Sequence, residues 1–299
     1  MTPYDPGPGV ADLEGRYGVE RLVKLNWNED LFGLLPGVRE AVVAELANAS
    51  LYPEQAYSSF RALVAAWAGT DAEMVLPAHG IQALVLATVA VFVNPGDKVE
   101  WSDFIENLPY GCQAVVDEAY ADYMAPAERP PRVDEIAAGR PLVVLRTFSK
   151  LFGIAGLRLG YAIVHRDLVP CYDAIQEPFN VNRLALAAGT ACLANPGAVE
   201  TRRLEVIEAR DFLAAELRAI GIESWPSMAN FILAKPGGDD LSWYERLVRR
   251  GFLIRPGSEF GLEGHLRITI GPKEMMASLA SALGEVSEEI STSGVPRRT

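Results

Sequence analysis

The chain has 299 residues, 49% of them hydrophobic and 22% charged, and carries a net charge of −12. That length and balance fit a soluble globular protein with one large and one smaller domain. The acidic surface excludes nucleic acid and anionic membranes as main partners, since both repel it, but leaves room for a local cationic pocket.

Cys112, Cys171 and Cys192 are odd in number and have no metal-ligand spacing, so they read as reduced, buried thiols and no metal site is expected. The N-terminal sequence MTPYDPGPGVADLEGRYG lacks a basic region followed by an apolar run, and is therefore not a secretory signal. The most apolar stretch, Ile81–Asn94, is too short to span a bilayer. A cytoplasmic protein is expected.

The first dozen residues, with Pro3, Pro6 and Pro8 among turn-formers, read as a flexible arm. Pro36 then opens an amphipathic helix over Val38–Asn48, where its missing N–H costs nothing. A second helix is predicted over Ser58–Ala68. A third starts near Gly80, is apolar on nearly every side and should be buried between sheet and neighbours. Cys112–Val116, Leu142–Arg146 and Arg158–Val164 are apolar on both faces, the pattern of parallel strands covered by helices. Helices are predicted over Asp167–Gln176, Arg183–Ala194 and Ala198–Ile220. Strands at Asn230–Ala234, Phe252–Ile254 and Leu266–Ile270 then alternate with helices at Leu241–Arg250 and Lys273–Ser287. That βαββα run suggests a smaller α+β domain with its sheet on one side, and the final SGVPRRT reads as a disordered tail. The expected division is 1–35 for an N-terminal arm and part of the small domain, 36–222 for the large domain, and 223–299 for the C-terminal small domain.

Two segments carry chemistry. Thr147-Phe148-Ser149-Lys150 directly follows an apolar strand, and GIAGLRLGY follows it from Gly153 to Tyr161. Hydroxyls and a lysine at the C-terminal edge of a strand stand where open α/β sheets bind ligands. Desolvation and nearby cations lower a lysine's pKa there and make it a nucleophilic amine. Arg158 can return to the same place and offer a fork for phosphate. Alone, the tetrapeptide fits a surface lysine ending a strand equally well. The second segment is Val115-Val116-Asp117-Glu118-Ala119-Tyr120, in which a strand delivers two carboxylates and a tyrosine to its end. A carboxylate buried there needs a cationic or hydrogen-bonding partner, which a protonated pyridine nitrogen would satisfy. Tyr120 can then hydrogen-bond an oxygen on the same ring. The bland alternative is an acid that caps a helix.

Placed on adjacent strands, the two segments resemble the edge that binds pyridoxal 5′-phosphate (PLP) in class I/II aminotransferases of fold type I. The resemblance is closest to the histidinol-phosphate aminotransferase branch and extends over nearly the whole chain. It implies an α/β fold: a large domain over 36–222 that binds PLP on a mostly parallel sheet covered by helices, and a smaller α+β domain. Leu25-Asn26-Trp27-Asn28-Glu29 matches the family's N-terminal Asn-Glu segment, with Asn28 toward the substrate. Leu51-Tyr52-Pro53 matches a pair whose tyrosine reaches the cofactor phosphate of a partner subunit, so a homodimer is implied. Pro77-Ala78-His79-Gly80-Ile81-Gln82 looks like the glycine loop, in which the amides of Gly80, Ile81 and Gln82 would hold that phosphate at a helix N-terminus. Asp117 matches the partner of the pyridine nitrogen and Tyr120 the donor to the ring oxygen. Thr147, Ser149 and Arg158 match the phosphate ligands, and Lys150 the lysine that bonds the cofactor and moves a proton as base. Pro178-Phe179-Asn180-Val181-Asn182 and Ile254-Arg255-Pro256-Gly257 match further family stretches. In His265-Leu266-Arg267-Ile268-Thr269-Ile270-Gly271, Arg267 resembles the residue that grips the substrate α-carboxylate.

After Asn94-Pro95-Gly96-Asp97-Lys98-Val99 the family continues through a strand, a crossover and another strand. These carry a ring-stacking aromatic residue and an asparagine-rich turn. Here Glu100 runs straight into Trp101-Ser102-Asp103-Phe104-Ile105-Glu106-Asn107-Leu108, which reads as the helix before the Asp117 strand, and both motifs are missing. Two readings stay open. Either residues are omitted between Glu100 and Trp101, which is favoured because losing central strands would expose apolar edges, or the shortening is real. Smaller departures are His79, Ile81 and Gln82 in the phosphate loop, and Gln176 where the branch often has arginine, which weakens the case for a phosphorylated substrate. His165 and His265 read as structural.

The resemblance therefore implies a PLP-dependent aminotransferase that exchanges an amino group between an amino acid or histidinol phosphate and a 2-oxo acid such as 2-oxoglutarate, in amino-acid biosynthesis. A PLP decarboxylase, cyclase or oxidase acting on an amino acid, and a non-catalytic protein of the same fold, are the alternatives.

Overall fold

The computed structural model describes residues 8–92 and 113–292. The expected helix at 101–108, the Glu100–Trp101 junction, Cys112 and the last seven residues lie outside the described residues. The helices, in chain order, are α1 Val10–Tyr17, α2 Val38–Glu45, α3 Ser58–Ala68, α4 Ile81–Phe92, α5 Arg132–Ala137, α6 Val169–Asp173, α7 Arg183–Leu193, α8 Pro196–Ala219, α9 Asp240–Arg249 and α10 Lys273–Thr292. The strands are β1 Val23–Lys24, β2 Val75–Ala78, β3 Ala114–Asp117, β4 Leu142–Thr147, β5 Gly160–Val164, β6 Glu223–Ser224, β7 Phe231–Lys235, β8 Phe252–Leu253, β9 Arg255–Pro256 and β10 Leu266–Thr269. The chain divides into two units, Gly33–Arg203 and Met1–Phe32 with Leu204–Thr299.

In the Gly33–Arg203 unit, one sheet has the order β2-β5-β4-β3. β3 and β4 are parallel, whereas β5 runs antiparallel to both β4 and β2. The direction of β5 departs from the expectation of parallel strands. Apolar residues on both faces report burial on both faces and say nothing of direction, and the loop from Phe148 to Leu159 turns back without a crossover helix. On one face Leu76, Ala78, Val143, Leu145, Ala162 and Val164 pack with Leu84 of α4 and Tyr172 of α6. On the other, the rings of Phe148, Phe152 and Tyr161 pack with Phe60 and Trp67 of α3. α7 closes against this layer through Gly189, where a Cβ would meet Leu159 Cδ2 at 2.5 Å and Phe60 Cε2 at 2.9 Å. α7 begins where the sequence allows it, with the Asn182 side chain accepting the Ala185 N–H at 2.8 Å. α4 differs from expectation: Val85 and Leu86 are exposed, so part of its apolar surface is uncovered in the single chain.

The other unit carries a sheet of order β6-β7-β10-β9 and the two-stranded pair β1-β8. α9 is capped by Asp239, whose carboxylate accepts the Ser242 N–H at 2.8 Å, with Arg246 and Arg249 in its last turn. Arg246 and Arg250 pair with Glu289 on α10, and Arg250 also with Glu285. The flexible arm expected over the first dozen residues is corrected from Val10 onward. α1 starts there because Leu13 packs in a cluster with Leu22, Val248 and Leu253. Cys192 is buried, as expected, but Cys171 is exposed. Among the described residues, no helix is long and apolar enough to cross a membrane.

Candidate functional site

The registers of the four-stranded sheet align its chemistry at one edge. Ala78 pairs with Gly160, Gly160 with Thr147, and Asp117 with Leu145. The residues that follow β2, β3 and β4, and those that precede β5, therefore leave the sheet together. These are His79–Gln82, Glu118–Tyr120, Phe148–Lys150 and Arg158. This edge gathers every candidate of the unit except Tyr52.

Gly80 adopts φ +80°, and a Cβ there would lie 2.8 Å from Arg158 Nη2. The loop before α4 and the Arg158 guanidinium thus face the same small space, which an added methyl would close. Arg158 is itself left-handed at φ 58°, held by Nη1 donating to the Ala155 carbonyl at 2.9 Å and reaching Ser149 Oγ at 3.5 Å. Gly160 keeps the loop close, since a Cβ there would meet the Ile81 nitrogen at 3.0 Å and the Arg146 carbonyl at 3.1 Å. The Ser149 N–H donates to Thr147 Oγ1 at 3.0 Å, which turns the chain sharply ahead of Lys150. Backbone amides at the start of α4, a guanidinium and two hydroxyls form a cradle suited to a phosphate dianion.

Lys150 is half-buried, and its Nζ lies 5.6 Å from the centroid of the Tyr120 ring. Asp117 is exposed, with Oδ1 accepting the Ala119 N–H at 2.9 Å. The buried carboxylate of the pair is Glu118, whose Oε2 accepts Arg146 Nε at 3.0 Å and Nη2 at 2.9 Å. The ion pair is not among the sequence expectations, although an arginine inside the apolar run Leu142–Thr147 signals a buried partner. Burial opposes the Arg146 charge, but Tyr161, Glu118 and Asp122 outweigh it and hold its pKa above the ordinary value. His79 is exposed and lines an open cleft of about 590 Å³ with Ala83, Leu86, Gln176 and Phe179. Gln176 accepts from Asn180, which in turn accepts from the Tyr57 hydroxyl at 3.1 Å.

Tyr52 is 77% exposed, and its ring stacks on Phe179 with centroids 4.6 Å apart. Arg183 holds the Tyr52 carbonyl at 3.1 Å and pairs with Glu45. In the other unit, Arg267 Nη2 donates to the Asn26 carbonyl at 2.6 Å, and its guanidinium lies 5.6 Å from the Phe260 ring and 5.8 Å from that of Phe231. Asn28, at φ 54°, is 3% exposed: its N–H donates to Thr269 Oγ1, and its Oδ1 accepts from the same hydroxyl.

Residues 99–283 match the sequence profile of the family described as aminotransferase class I and II. The chain is 30% identical to the histidinol-phosphate aminotransferase of Anaeromyxobacter sp. (strain Fw109-5), with 96% of each chain covered. It is 31% identical to that of Symbiobacterium thermophilum, with 95% of this chain and 97% of the relative covered. The first comparison extends over 354 positions, so that relative has residues that this chain of 299 lacks. The histidinol-phosphate aminotransferase of Sinorhizobium meliloti, solved in complex with pyridoxal-5′-phosphate, superposes with a TM-score of 0.86 at 23% identity, covering 95% of this chain and 96% of that one.

Proposed function

The chain belongs to the aminotransferase class I and II family, and on that premise we propose that it uses PLP to exchange an amino group between an amino acid or histidinol phosphate and a 2-oxo acid such as 2-oxoglutarate. The observation that carries this reading is the cradle of Gly80, Arg158, Ser149 and Thr147 beside Lys150, at the edge where Asp117 and Tyr120 also emerge. A dianionic phosphate fits its amides and guanidinium. When bound, PLP supplies an electron-accepting ring and a carbonyl carbon able to carry an amino group.

The residues divide the work. The amides of Gly80, Ile81 and Gln82, with Thr147, Ser149 and Arg158, hold the phosphate and fix the orientation of the ring. Asp117 keeps a proton on the ring nitrogen, and Tyr120 donates to the ring oxygen. Lys150 would be the residue whose amine joins the cofactor carbonyl carbon; once the substrate amine has taken its place there, the freed Lys150 amine would be the base that takes the proton from the substrate Cα. Arg267 takes the substrate carboxylate and Asn28 supports it. Tyr52 acts on the cofactor phosphate of a second copy. The exposed Val43, Leu46, Leu51, Tyr52, Val85 and Leu86 are apolar side chains that such a homodimer would cover. The domain division at 35 and 222 and a cytoplasmic location complete the proposal.

The test is the visible absorption of the purified protein titrated with PLP, beside a Lys150→Ala variant. A visible band in the parent, fixed by borohydride and absent in the variant, followed by amino transfer to 2-oxoglutarate, is the expected result. No band in the parent overturns the reading. A band with carbon dioxide release and no amino transfer would instead favour a decarboxylase.

A further inference from the structure

The ladder between β3 and β4 ends at the pair Asp117–Leu145, just before both chains deliver their reactive residues. Past that point the Glu118 N–H still donates to the Leu145 carbonyl at 2.9 Å. Beyond the backbone, the connection passes to side chains. Glu118 is 8% exposed and Arg146 3%, and the two meet through one carboxylate oxygen and two guanidinium nitrogens. Four residues later on the same segment, Asp122 is also buried. Its Oδ1 lies 3.3 Å from Arg129 Nη1 and accepts from Trp67 Nε1 at 3.3 Å. Tyr120 lies between these two anchors. On the facing chain, Arg146 directly precedes Thr147, and Lys150 follows four residues on.

Charges buried in this way are a poor route to stability. Removing both from water is expensive, and well-packed apolar residues of similar volume commonly do as well or better. An ion pair fixes one relative position of two segments, however, whereas an apolar contact tolerates sliding. The pair spans the two segments on which Lys150, Tyr120 and Asp117 are mounted.

We propose that the Glu118–Arg146 pair is the positioning device of the site. It fixes the Glu118–Tyr120 segment, just past the ladder that already places Asp117, against the Phe148–Lys150 segment, so that the carboxylate, phenol and amine meet one ligand together. Neither residue touches the ligand. This inference rests on the assignment of Lys150 and Asp117 to PLP.

The experiment compares the parent, Glu118→Leu, Arg146→Met, the double variant and Glu118→Gln. Each is measured for its urea midpoint, its PLP dissociation constant and the pH at which the visible band titrates. The single apolar variants each strand one buried charge and should unfold at lower urea. In the double variant the urea midpoint should return to the parent's or exceed it, while PLP binds roughly 10-fold or more weakly and the titration midpoint of the band moves. Glu118→Gln keeps the shape and an acceptor, so it should retain most of the affinity and the parent's midpoint. If the double variant does not fold, Glu118→Gln beside Glu118→Ala carries the comparison: recovery of affinity and midpoint by glutamine but not alanine supports positioning, and equal behaviour of the two overturns it. A double variant that is stable and matches the parent in affinity and titration overturns the inference while leaving the PLP reading intact. A parent with no band overturns the PLP reading and this inference with it.

Discussion

Gly80→Ala separates the phosphate cradle from the stability of the fold. The substitution places a side chain at φ +80°, which costs roughly 1–2 kcal/mol for an L-residue in the left-handed region. Its Cβ would also stand 2.8 Å from Arg158 Nη2 and 3.5 Å from Cζ, so the guanidinium must move away. Because the obstructing group is the far end of a flexible, exposed side chain, the fold should lose little beyond the backbone term. The cradle loses a charge-assisted ligand worth about 1.5–3 kcal/mol, which corresponds to a roughly 10- to 150-fold weaker PLP dissociation constant. The assay is equilibrium titration with PLP followed in the visible band, with a urea midpoint measured alongside. Arg158→Ala should produce a similar loss of affinity, and the two changes combined should cost much less than their sum, since both remove the same contact. Parent-like affinity in Gly80→Ala, or strict additivity with Arg158→Ala, would refute the argument.

Two further outcomes follow from groups outside the cradle. Asp240 loses solvation on burial, but the N–H groups of Ser258 at 2.8 Å and Gly264 at 3.1 Å outweigh this and hold its carboxyl below the ordinary value. A lowered folded pKa contributes stability in full above the unfolded value of about 4, and that contribution is lost as pH falls through the folded value. Asp240→Asn should therefore cost about 1 kcal/mol at neutral pH and progressively less below about pH 4, read from urea midpoints across pH; a cost independent of pH contradicts this. Burial pushes the Cys192 thiol up to about 12, whereas Cys171 is exposed. Alkylation mapped by peptide mass should label Cys171 in the folded protein and Cys192 only in denaturant, and fast labelling of native Cys192 would mean that the helix α7 is not packed as described.

What the sequence reveals, and what it hides, divides along the range of the forces involved. Helix α3 is legible to the residue, and α7 to its cap at Asn182, because both depend on local periodicity and a local hydrogen bond. The start of α1 is not legible. That helix is held by Leu13 against Val248 and Leu253, partners far along the chain that no local window contains. The antiparallel course of β5 is hidden for a related reason, since a strand apolar on both faces looks the same in either direction. Within the site, Lys150, Arg158 and Asp117 are legible as polar residues at strand ends. The division of labour between Asp117 and Glu118 is not, because adjacent residues at a strand end point to opposite faces, and only the position of Arg146 decides which carboxylate is buried.

Backbone strain bears on several of the same residues. Among the described residues, Asn28, Tyr57, Arg158 and Phe179 are the non-glycine residues with positive φ. A left-handed side chain persists only where its surroundings over-determine it, and here each has such surroundings. Thr269 bonds both the N–H and the side chain of Asn28, while Asn230 holds its carbonyl at 3.1 Å. The Tyr57 hydroxyl donates to Asn180 and accepts the Val181 N–H at 3.2 Å, which ties down the loop that carries Phe179. Arg158 is clamped by the Ala155 carbonyl. One strained residue thus lies in the cradle, one is the proposed substrate contact, and the other two belong to the network that supports the ring stacked on Tyr52. Arg158 is singled out by its charge and position and Asn28 and Phe179 by resemblance, whereas Tyr57 is brought in only by its bonds to Asn180 and Val181. Strain at Arg158 and Asn28 means that part of the fold's stability is given up to hold these two groups in place before any ligand arrives, as a site that orients a proton transfer would require.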